Sequence, residues 1–426
     1  MTDSLKKAYI HTLGCRLNNA DSALLNYRLM QNNYTLVKTL SSDLSLIIIN
    51  SCCVTAEAGR KSAQFARKAR KECPFAKIIF TGCAAQVGEN CDSLPVDIIV
   101  KDKKSIPQLL DSDTLNNTEN ANIFNEDAFG EFPFQSRAFL KIQEGCNNFC
   151  TYCIVPYTRG RERSRNFDEV IADAKHALDN GFKELILTGV NTCQYSDGGR
   201  NLCDIIRKIA ALGDDFRIRL SSTEPKMDNI ELLKVMAEPK NKVCRFLHLS
   251  MQHASDNILR KMNRHYSFAQ YSDFVAEARQ LIPGIHIGTD IIAGFPGETE
   301  EDFALCCERT QNLKFANIHV FSYSKRQGTP AAAMPEQIPS DIIKQRSKKL
   351  QQIADLNAPE FVQQFNNKEL PVIFELKKKD GFYHGWSDNY IEVLKKSPQA
   401  PGTIENVVVE QKNAQDTILF AKSSDF

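Results

Sequence analysis

The sequence lacks a long apolar run, a marked charge of one sign, and tryptophan beyond a single residue. Its strongest apolar segment, Leu44 to Ile49, has the length of a β-strand and is far too short to cross a membrane. A formal net charge of only +1 excludes a global attraction to nucleic acid, so any RNA contact has to come from local basic clusters. The first residues lack the apolar segment of a secretory signal. We therefore expect a cytoplasmic protein without a membrane contact.

Cysteine, in contrast, is abundant, with fourteen residues in a chain of 426. Without a secretion signal, that number argues against a disulfide framework and favours metal binding or thiol chemistry in a reducing compartment. The hydrophobic fraction of 42% and the charged fraction of 25% are typical of a globular protein. The length predicts two or three domains rather than a single core.

The most informative motif is a C-x3-C-x2-C loop formed by Cys146, Cys150 and Cys153. Three thiolates on one short loop are typical of zinc or iron–sulfur sites. The next cysteine is Cys193, so no fourth thiolate follows closely. The spacing therefore predicts a metal centre with a coordination position left open for a small molecule, which indicates chemistry rather than a purely structural role.

Three further cysteines follow predicted strands of an N-terminal domain, residues 1–110. The strand-like runs are followed by Cys15, Cys52 and Cys83, and helix-like segments lie between them. Alternating strands and helices predict an α/β domain with a parallel sheet. Because ligands of such sheets bind at the carboxyl ends of the strands, we expect these three cysteines to meet at one edge.

The rest of the chain predicts a linker, a second α/β domain and a small β-domain. The polar segment 111–136 is the expected linker. Residues 137–362 contain six strands at βα spacing, which predicts a partial TIM-like (β/α)6 barrel with the cysteine loop at its carboxyl face. Residues 363–426 show short β-like runs broken at glycines and a proline. We predict a small antiparallel β-barrel there, an architecture common in oligonucleotide binding. The predicted breaks are Gly381, Gly385, Pro398 and Gly402.

Four arginines alternate just after the cysteine loop: Arg159, Arg161, Arg163 and Arg165. Their spacing predicts that they crowd one site, which makes them the best local candidates for an RNA contact.

The cysteine loop resembles the signature of the radical S-adenosylmethionine (SAM) enzymes. Further segments resemble motifs of one branch of that superfamily, the methylthiotransferases. These segments are Leu13-Gly-Cys15, Asn50-Ser-Cys52, Thr81-Gly-Cys83-Ala-Ala-Gln86, Tyr157–Arg165, Leu187–Asn191, Asp256–Tyr266 and Asp290–Thr299. The resemblance extends over essentially the whole chain, and the C-terminal β-domain is similar to the TRAM module that binds tRNA.

The resemblance implies two 4Fe–4S clusters and SAM as cofactors. Cys146, Cys150 and Cys153 would hold the cluster whose open iron binds SAM. Cys15, Cys52 and Cys83 would hold a second cluster that carries the sulfur to be transferred, with Cys53 as a competitor for Cys52. No catalytic residue is expected beyond these ligands. The expected SAM contacts are Gly189, Asn191, Glu224, Gln252, Asp290 and Gly294. Ordinary strand-to-helix turns are the alternative for Gly189, Asn191 and Gly294, and a helix cap or a salt bridge is the alternative for Asp290.

Within this family, segments His11–Asn18 and Val54–Ser62 resemble the branch that acts on N6-threonylcarbamoyladenosine next to the anticodon of tRNA. The implied partners are a tRNA anticodon stem-loop, an electron donor such as flavodoxin and a sulfur source, and we expect a monomer. The alternatives are the sister branches, which act on isopentenyladenosine in tRNA or on a ribosomal-protein aspartate. A zinc-bearing RNA-binding protein without catalysis is a further alternative.

Overall fold

The computed structural model describes residues 6–88, 91, 93–106, 136–224 and 230–422. The predicted linker therefore lies outside the described residues except for Ser136. The chain forms two compact units. The first comprises Met1–Pro133, Glu144–Asn147 and Cys153–Arg161, and the second comprises Phe134–Gln143, Asn148–Tyr152 and Glu162–Phe426. The predicted domain boundaries remain predictions.

The strands are β1 (Lys6–Thr12), β2 (Tyr34–Leu36), β3 (Leu46–Ser51), β4 (Lys77–Gly82), β5 (Ile98–Ile99), β6 (Ala138–Lys141), β7 (Gln143–Glu144), β8 (Arg163–Ser164), β9 (Glu184–Thr188), β10 (Ser196–Asp197), β11 (Arg200–Asn201), β12 (Arg217–Leu220), β13 (Ser222–Thr223), β14 (Phe246–Leu249), β15 (His286–Ala293), β16 (Asn317–Ser322), β17 (Glu369–Lys379), β18 (Phe382–Ser387), β19 (Glu392–Lys395), β20 (Ile404–Glu410) and β21 (Ile418–Ala421).

The helices are α1 (Arg16–Gln31), α2 (Ala56–Glu72), α3 (Cys83–Val87), α4 (Val155–Arg159), α5 (Phe167–Asp179), α6 (Leu202–Ala210), α7 (Ile230–Ala237), α8 (Asp256–Lys261), α9 (Phe268–Leu281), α10 (Glu300–Leu313), α11 (Pro330–Ala333) and α12 (Ser340–Gln363). Short 3₁₀ helices span Lys103–Ser105, Thr192–Gln194 and Pro239–Asn241.

The first unit contains a parallel sheet in the order β2-β1-β3-β4-β5. Every residue of β3 is buried, as expected for a strand covered on both faces. Thr55 caps the amino end of α2 by accepting a hydrogen bond from the backbone N–H of Ala58. The predicted parallel α/β domain is confirmed. Strands β2 and β5, with three and two residues, are too short to give a period in the sequence.

The second unit contains an incomplete barrel of six parallel strands, in which β12 and β13 count as two pieces of one strand. Pairings run β12-β9-β6 and β13-β14-β15-β16, and only Ser221 separates β12 from β13. Ile218 of β12 links the two sheets, because its backbone bonds the segment before β14 at Lys242 (2.9 Å) and at Cys244 (2.8 Å). The predicted (β/α)6 architecture is confirmed. Strand β16 lies at the edge of its sheet.

A buried charge cluster lies at the amino ends of the barrel strands. Glu184, the first residue of β9, is fully buried and accepts hydrogen bonds from Arg217 (2.6 Å) and Arg219 (2.8 and 2.9 Å). Burial alone would raise the pKa of Glu184, but the two guanidinium groups hold it well below its usual range. No hydrophobic pattern in the sequence predicted this cluster.

The same two arginines anchor the C-terminal β-domain. They donate to four backbone carbonyls of that domain, those of Pro371, Trp386, Ser387 and Asp388, at 2.8–3.0 Å. These bonds satisfy the buried guanidinium groups and fix the β-domain against the amino ends of the barrel strands.

The C-terminal β-domain is a closed barrel in the order β17-β18-β19-β21-β20. Four of its five pairings are antiparallel, as predicted, whereas β19 and β21 pair in parallel. The predicted break at Gly385 is wrong, because this residue lies inside β18. A Cβ atom there would lie 2.5 Å from Val372 and 2.6 Å from Phe374. Gly385 is therefore required by tight packing inside a narrow barrel and not by a turn.

Among the described residues, no helix is both long and apolar enough to cross a membrane.

Candidate active site

The first unit brings Cys15, Cys52 and Cys83 together, as the sequence predicts. Cys52 directly follows β3, and Cys83 directly follows β4. The thiol of Cys52 interacts electrostatically with those of both other cysteines. A Cβ atom on Gly14 would lie 2.8 Å from the sulfur of Cys52, so glycine allows the first loop to approach the second. The three thiols thus meet at the carboxyl edge of the parallel sheet.

Neighbouring polar residues fix the loops that carry these cysteines. Asn18 donates through Nδ2 to the carbonyls of Leu13 (2.6 Å) and Ser51 (3.0 Å). Asn50 returns a hydrogen bond to the carbonyl of Asn18 at 2.9 Å. The hydroxyl of Ser51 donates to the carbonyl of Thr81 at 2.5 Å, which ties the second loop to the third. These side chains position the cysteines by cross-linking the three strand ends.

The structure separates the environments of Cys52 and Cys53. Cys53 packs in the hydrophobic core of the first unit and is 2% exposed. Its hydrogen bond to Cys83, helped by the positive charge of Arg159, lowers the pKa of the Cys83 thiol to about 5 against the opposing effect of burial. Burial raises the pKa of Cys52 to about 11. Cys53 therefore supports Cys83 through a hydrogen bond, and the assignment of Cys52 as the ligand remains a prediction.

A buried arginine lies beside this cysteine set. Arg159, at the carboxyl end of α4, forms ion pairs with Glu144 (2.7 Å) and Asp21 (3.1 Å), and its side chain is 6% exposed. It also interacts electrostatically with Cys83 and Cys15. Sequence reasoning missed this role, because it grouped Arg159 with the three arginines that follow.

The interpretation of the four alternating arginines as one RNA-binding patch is wrong. Arg165 is buried and forms an ion pair with Asp173 at 2.6 Å, and Arg159 is buried as described above. Only Arg161 and Arg163 are exposed. The first and the last of the four arginines are buried in ion pairs, which the alternating sequence pattern alone does not distinguish from exposed positions.

The loop that carries Cys146, Cys150 and Cys153 begins at a position that only glycine can occupy. Gly145 has φ of +72°, and a Cβ atom there would lie 2.0 Å from the carbonyl oxygen of Arg161. The next residue, Cys146, donates its N–H to the carbonyl of Gly160 at 3.2 Å. Cys150 is buried, and the other two cysteines are half-buried.

Cys150 contacts a second buried arginine. Arg264 lies 3.5 Å from the Cys150 sulfur through Nη1 and forms an ion pair with Glu224 at 2.7 Å. Its remaining nitrogens donate to the hydroxyl of Tyr266 (3.1 Å) and the carbonyl of Ser250 (3.0 Å). The guanidinium plane thus joins the cysteine loop to strand ends of the barrel.

Glu224 and Asn191, two predicted SAM contacts, lie in this polar cluster. Besides its ion pair, Glu224 accepts hydrogen bonds from Asn148 of the cysteine loop and from Asn191 (3.3 Å). The amide oxygen of Asn191 is buried and finds no hydrogen-bond partner among the described residues. A buried acceptor of this kind is typical of a site that a ligand completes.

Gly189, Gly294 and Gln252 have structural reasons for their backbone conformations. A Cβ on Gly189 would lie 2.9 Å from the side-chain oxygen of Gln143, and one on Gly294 (φ +79°) would lie 2.4 Å from Ile343. Gln252 has φ of +67° and bonds the β15 backbone through its N–H and its carbonyl, both at 2.8 Å. The contact of these residues with SAM remains a prediction.

Asp290, the last predicted SAM contact, is surrounded by hydrogen-bond donors. Its carboxylate accepts from Ser250 Oγ (2.7 Å) and lies 3.0 Å from His248 Nε2 and 3.4 Å from His319 Nδ1. Burial opposes ionisation, but these partners hold the pKa of Asp290 well below its usual range.

Two family models match the chain. Residues 140–309 match the radical SAM superfamily, and residues 7–99 match the uncharacterized protein family UPF0004. The chain is 33% identical over 408 residues to the threonylcarbamoyladenosine tRNA methylthiotransferase MtaB of Bacillus subtilis, covering 91% of this chain and 90% of the relative. It is also 33% identical over 400 residues to the tRNA-2-methylthio-N(6)-dimethylallyladenosine synthase of Clostridioides difficile, covering 89% and 83%.

The chain belongs to the radical SAM tRNA methylthiotransferases. Solved structures support the fold. The radical SAM methyltransferase TsrM of Kitasatospora setae, with tryptophan and a SAM analogue bound, has a TM-score of 0.54 at 13% identity and covers 75% of this chain and 73% of its own.

Methylthiotransferases carry two 4Fe–4S clusters and use SAM, and the residues of this chain fit these groups. Each cysteine set supplies three thiols, which such clusters bind in the deprotonated form. The thiols do not have to converge on one point, because each binds a different iron. A buried guanidinium lies beside each set and suits the negative charge of a thiolate cluster. The unsatisfied oxygen of Asn191 offers a ligand acceptor close to the cysteine loop.

Proposed function

We propose that this methylthiotransferase converts N6-threonylcarbamoyladenosine next to the anticodon of tRNA to its 2-methylthio derivative. The supporting observation is full-length similarity to relatives that carry this activity in their names. The match to the Aquifex aeolicus MtaB covers 95% of this chain and 100% of the relative. The segments His11–Asn18 and Val54–Ser62 resemble the same branch.

The two cysteine sets have separate roles in this proposal. When bound, the clusters and SAM supply reductive SAM cleavage, hydrogen abstraction from carbon 2 of the adenine, and the methylated sulfur. Cys146, Cys150 and Cys153 hold the cluster for SAM cleavage, and Cys15, Cys52 and Cys83 hold the sulfur-carrying cluster.

The polar residues around Cys150 position SAM. Arg264 and Glu224 fix the cysteine loop against the barrel, since each contacts either Cys150 or Asn148 of that loop. Asn191 supplies a buried acceptor for a donor group of SAM. Gly189, Gln252, Asp290 and Gly294 complete the proposed SAM site.

The C-terminal barrel supplies tRNA affinity in this proposal. Its exposed lysines, Lys378, Lys379 and Lys396, suit contacts with phosphates of the anticodon stem. The target adenine lies in a loop without a pairing partner, so its extrusion into a cleft costs a few kcal/mol at most. The proposal includes a monomer in the cytoplasm, an electron donor such as flavodoxin and a separate sulfur source.

Nucleoside mass spectrometry of tRNA from cells that lack the gene tests this function. We expect loss of the 2-methylthio derivative and accumulation of threonylcarbamoyladenosine, with rescue by the wild-type gene and none by Cys150→Ala. Loss of 2-methylthio-isopentenyladenosine instead would assign the chain to the sister activity, which relatives at 33–34% identity carry. A colourless purified protein that holds zinc and no iron would refute both enzymatic functions.

A further inference from the structure

Three adjacent parallel strands of the barrel place a polar side chain at matching positions. His248 of β14, Asp290 of β15 and His319 of β16 lie with their donor and acceptor atoms within 4.8 Å of one another. Asp290 pairs in register with His319, and His248 pairs with Gly288. Positions 288 and 290 of β15 lie on the same face of the sheet, because side chains alternate along a strand. All three side chains therefore share that face. We call these three side chains the His–Asp–His cluster.

The cluster faces the interior of the incomplete barrel. Thr289, the neighbour of Asp290, lies 3.5 Å from the hydroxyl of Tyr271 on the outer helix α9. Side chains alternate along a strand, so Asp290 points away from that helix and into the barrel. His286, on the same face and four residues earlier, lies next to Tyr390 at the end closed by the C-terminal barrel. The cluster therefore lies farther toward the carboxyl ends of the strands.

A continuous set of contacts joins the cluster to the cysteine loop. Ser250 donates through Oγ to Asp290 (2.7 Å), and its carbonyl accepts from Arg264 (3.0 Å). Arg264 in turn lies 3.5 Å from Cys150. Only Ser250 and Arg264 thus separate the cluster from Cys150, a proposed ligand of the SAM-cleaving centre. The cluster therefore lies at the end of the barrel where we expect the reaction to occur.

The cluster is polar, preorganised and partly open. The side chain of His319 is 51% exposed and that of Asp290 is 21% exposed, and β16 is an edge strand. The amide nitrogen of Asn317 lies 2.9 Å from His319 Nε2 and can only donate to it, so His319 Nδ1 is the ring nitrogen whose N–H faces Asp290. Asp290 is therefore held as a carboxylate with a defined orientation.

The geometry points to this cluster as the site that recognises the polar N6 substituent of the substrate adenine. A threonylcarbamoyl group carries a hydroxyl, N–H groups and a carboxylate. Its hydroxyl or an N–H can donate to a lone pair of Asp290, whose carboxylate is oriented by His319. This inference rests on the proposed function and adds the residues that select between the two tRNA substrates.

An apolar isopentenyl group fits this cluster poorly. It would shield Asp290 and His319 from water without offering a hydrogen bond in return. A site that is built to bind a polar group strongly rejects analogues without that group. This inference moves Asp290 from the proposed SAM site to the substrate site, so the experiment has to separate substrate recognition from SAM binding.

The test compares two anticodon stem-loop RNAs, one with threonylcarbamoyladenosine and one with isopentenyladenosine, as substrates of the reconstituted holoenzyme. His319→Phe is expected to lower kcat/KM for the threonylcarbamoyl RNA about 10- to 100-fold and to lower the preference over the isopentenyl RNA by at least that factor. Asp290→Asn is expected to act in the same direction. His176→Phe, which replaces an exposed imidazole on α5, is the matched control with an unchanged preference.

An unchanged preference in both cluster variants would overturn the inference. So would a raised KM for SAM without a change in preference, which would assign the cluster to the SAM site. One equivalent of zinc bound by the holoenzyme and lost in His319→Phe, at constant iron content, would identify a metal site instead. Failure of the wild-type enzyme to modify the threonylcarbamoyl RNA would refute the proposed function itself, so the two failures are distinct.

Discussion

A buried arginine lies beside one cysteine or more of each set, but the charges of the two arginines are balanced differently. Arg159 in the first unit lies between two carboxylates, Asp21 and Glu144. Arg264 in the second unit has one carboxylate, that of Glu224, and its other bonds go to neutral acceptors and to Cys150. The positive charge of Arg159 is therefore largely neutralised by carboxylates, and that of Arg264 is more available to the Cys150 thiolate.

This difference matches the division of labour proposed for the two cysteine sets. A cation beside a thiolate cluster stabilises the reduced, more negative form. The less neutralised Arg264 lies at the set proposed to accept the electron for SAM cleavage. Arg159 lies at the set proposed to carry sulfur. There it both holds the strand ends together through its ion pairs with Asp21 and Glu144 and stabilises negative charge on the cysteine thiols.

The largest effect is expected from removing one cysteine of each set. Cys150→Ala should abolish formation of 5′-deoxyadenosine, whereas Cys83→Ala should abolish methylthio transfer while 5′-deoxyadenosine still forms. Both products are measured by liquid chromatography and mass spectrometry, with iron counts for each protein. Cys203→Ala, at a core cysteine that is 2% exposed, is the control that should keep all iron. Loss of SAM cleavage in both ligand variants would contradict the division.

Arg264→Met should cause the next largest effect. It leaves the partly buried carboxylate of Glu224 without its cation, which costs about 3 kcal/mol of unfolding free energy and slows SAM cleavage. The midpoint of urea unfolding, followed by circular dichroism, measures the loss. Arg207→Met breaks an exposed ion pair with Glu231 and should cost no more than about 0.5 kcal/mol. Equal losses in the two variants would show that Arg264 has no special role.

Arg159→Met should shift the potential of the sulfur-carrying cluster. Removing a positive charge from beside Cys83 favours the oxidised cluster, so the midpoint potential should fall by on the order of 50 mV, which is about tenfold in the equilibrium constant. A redox titration followed by electron paramagnetic resonance measures it in protein whose loop cysteines are replaced. Arg161→Met, at an exposed position, should leave the midpoint potential of the cluster unchanged. An upward shift in Arg159→Met would contradict the assignment of this charge.

The smallest effect is expected at Cys53. Cys53→Ala should retain the iron of the first unit and lower its stability by about 1 kcal/mol, because a small buried side chain is shortened. Cys52→Ala should lose that iron. Iron loss in Cys53→Ala alone would exchange the roles of the two neighbours.

The sequence predicted the elements that have a clear period and the motifs that are contiguous. The meeting of Cys15, Cys52 and Cys83 followed from the topology of a parallel sheet, since each cysteine follows a strand. The partial barrel followed from six strands at regular spacing. Gly385 was misread because glycine marks a turn and also a tightly packed strand, and only the neighbours Val372 and Phe374 distinguish these cases.

The remaining features depend on partners that are distant in sequence. Arg159 finds Asp21 138 residues away, and Arg219 finds the carbonyl of Asp388 169 residues away. No local pattern specifies such contacts. The His–Asp–His cluster had a usable signal, because His248, Asp290 and His319 fall within three predicted consecutive strands. Setting those strands in register would have brought the three side chains to one face.

The bonds between Arg217, Arg219 and four carbonyls of the C-terminal barrel have a consequence for protein engineering. A version truncated after α12 would expose to water the guanidinium groups of Arg217 and Arg219 and the carboxylate of Glu184, which are all buried in the full chain. These groups lie at the amino ends of the barrel strands. The C-terminal barrel of this enzyme can therefore not be exchanged freely for another domain. A chimera with another C-terminal domain should provide backbone carbonyls that accept from Arg217 and Arg219, or it should replace both arginines together.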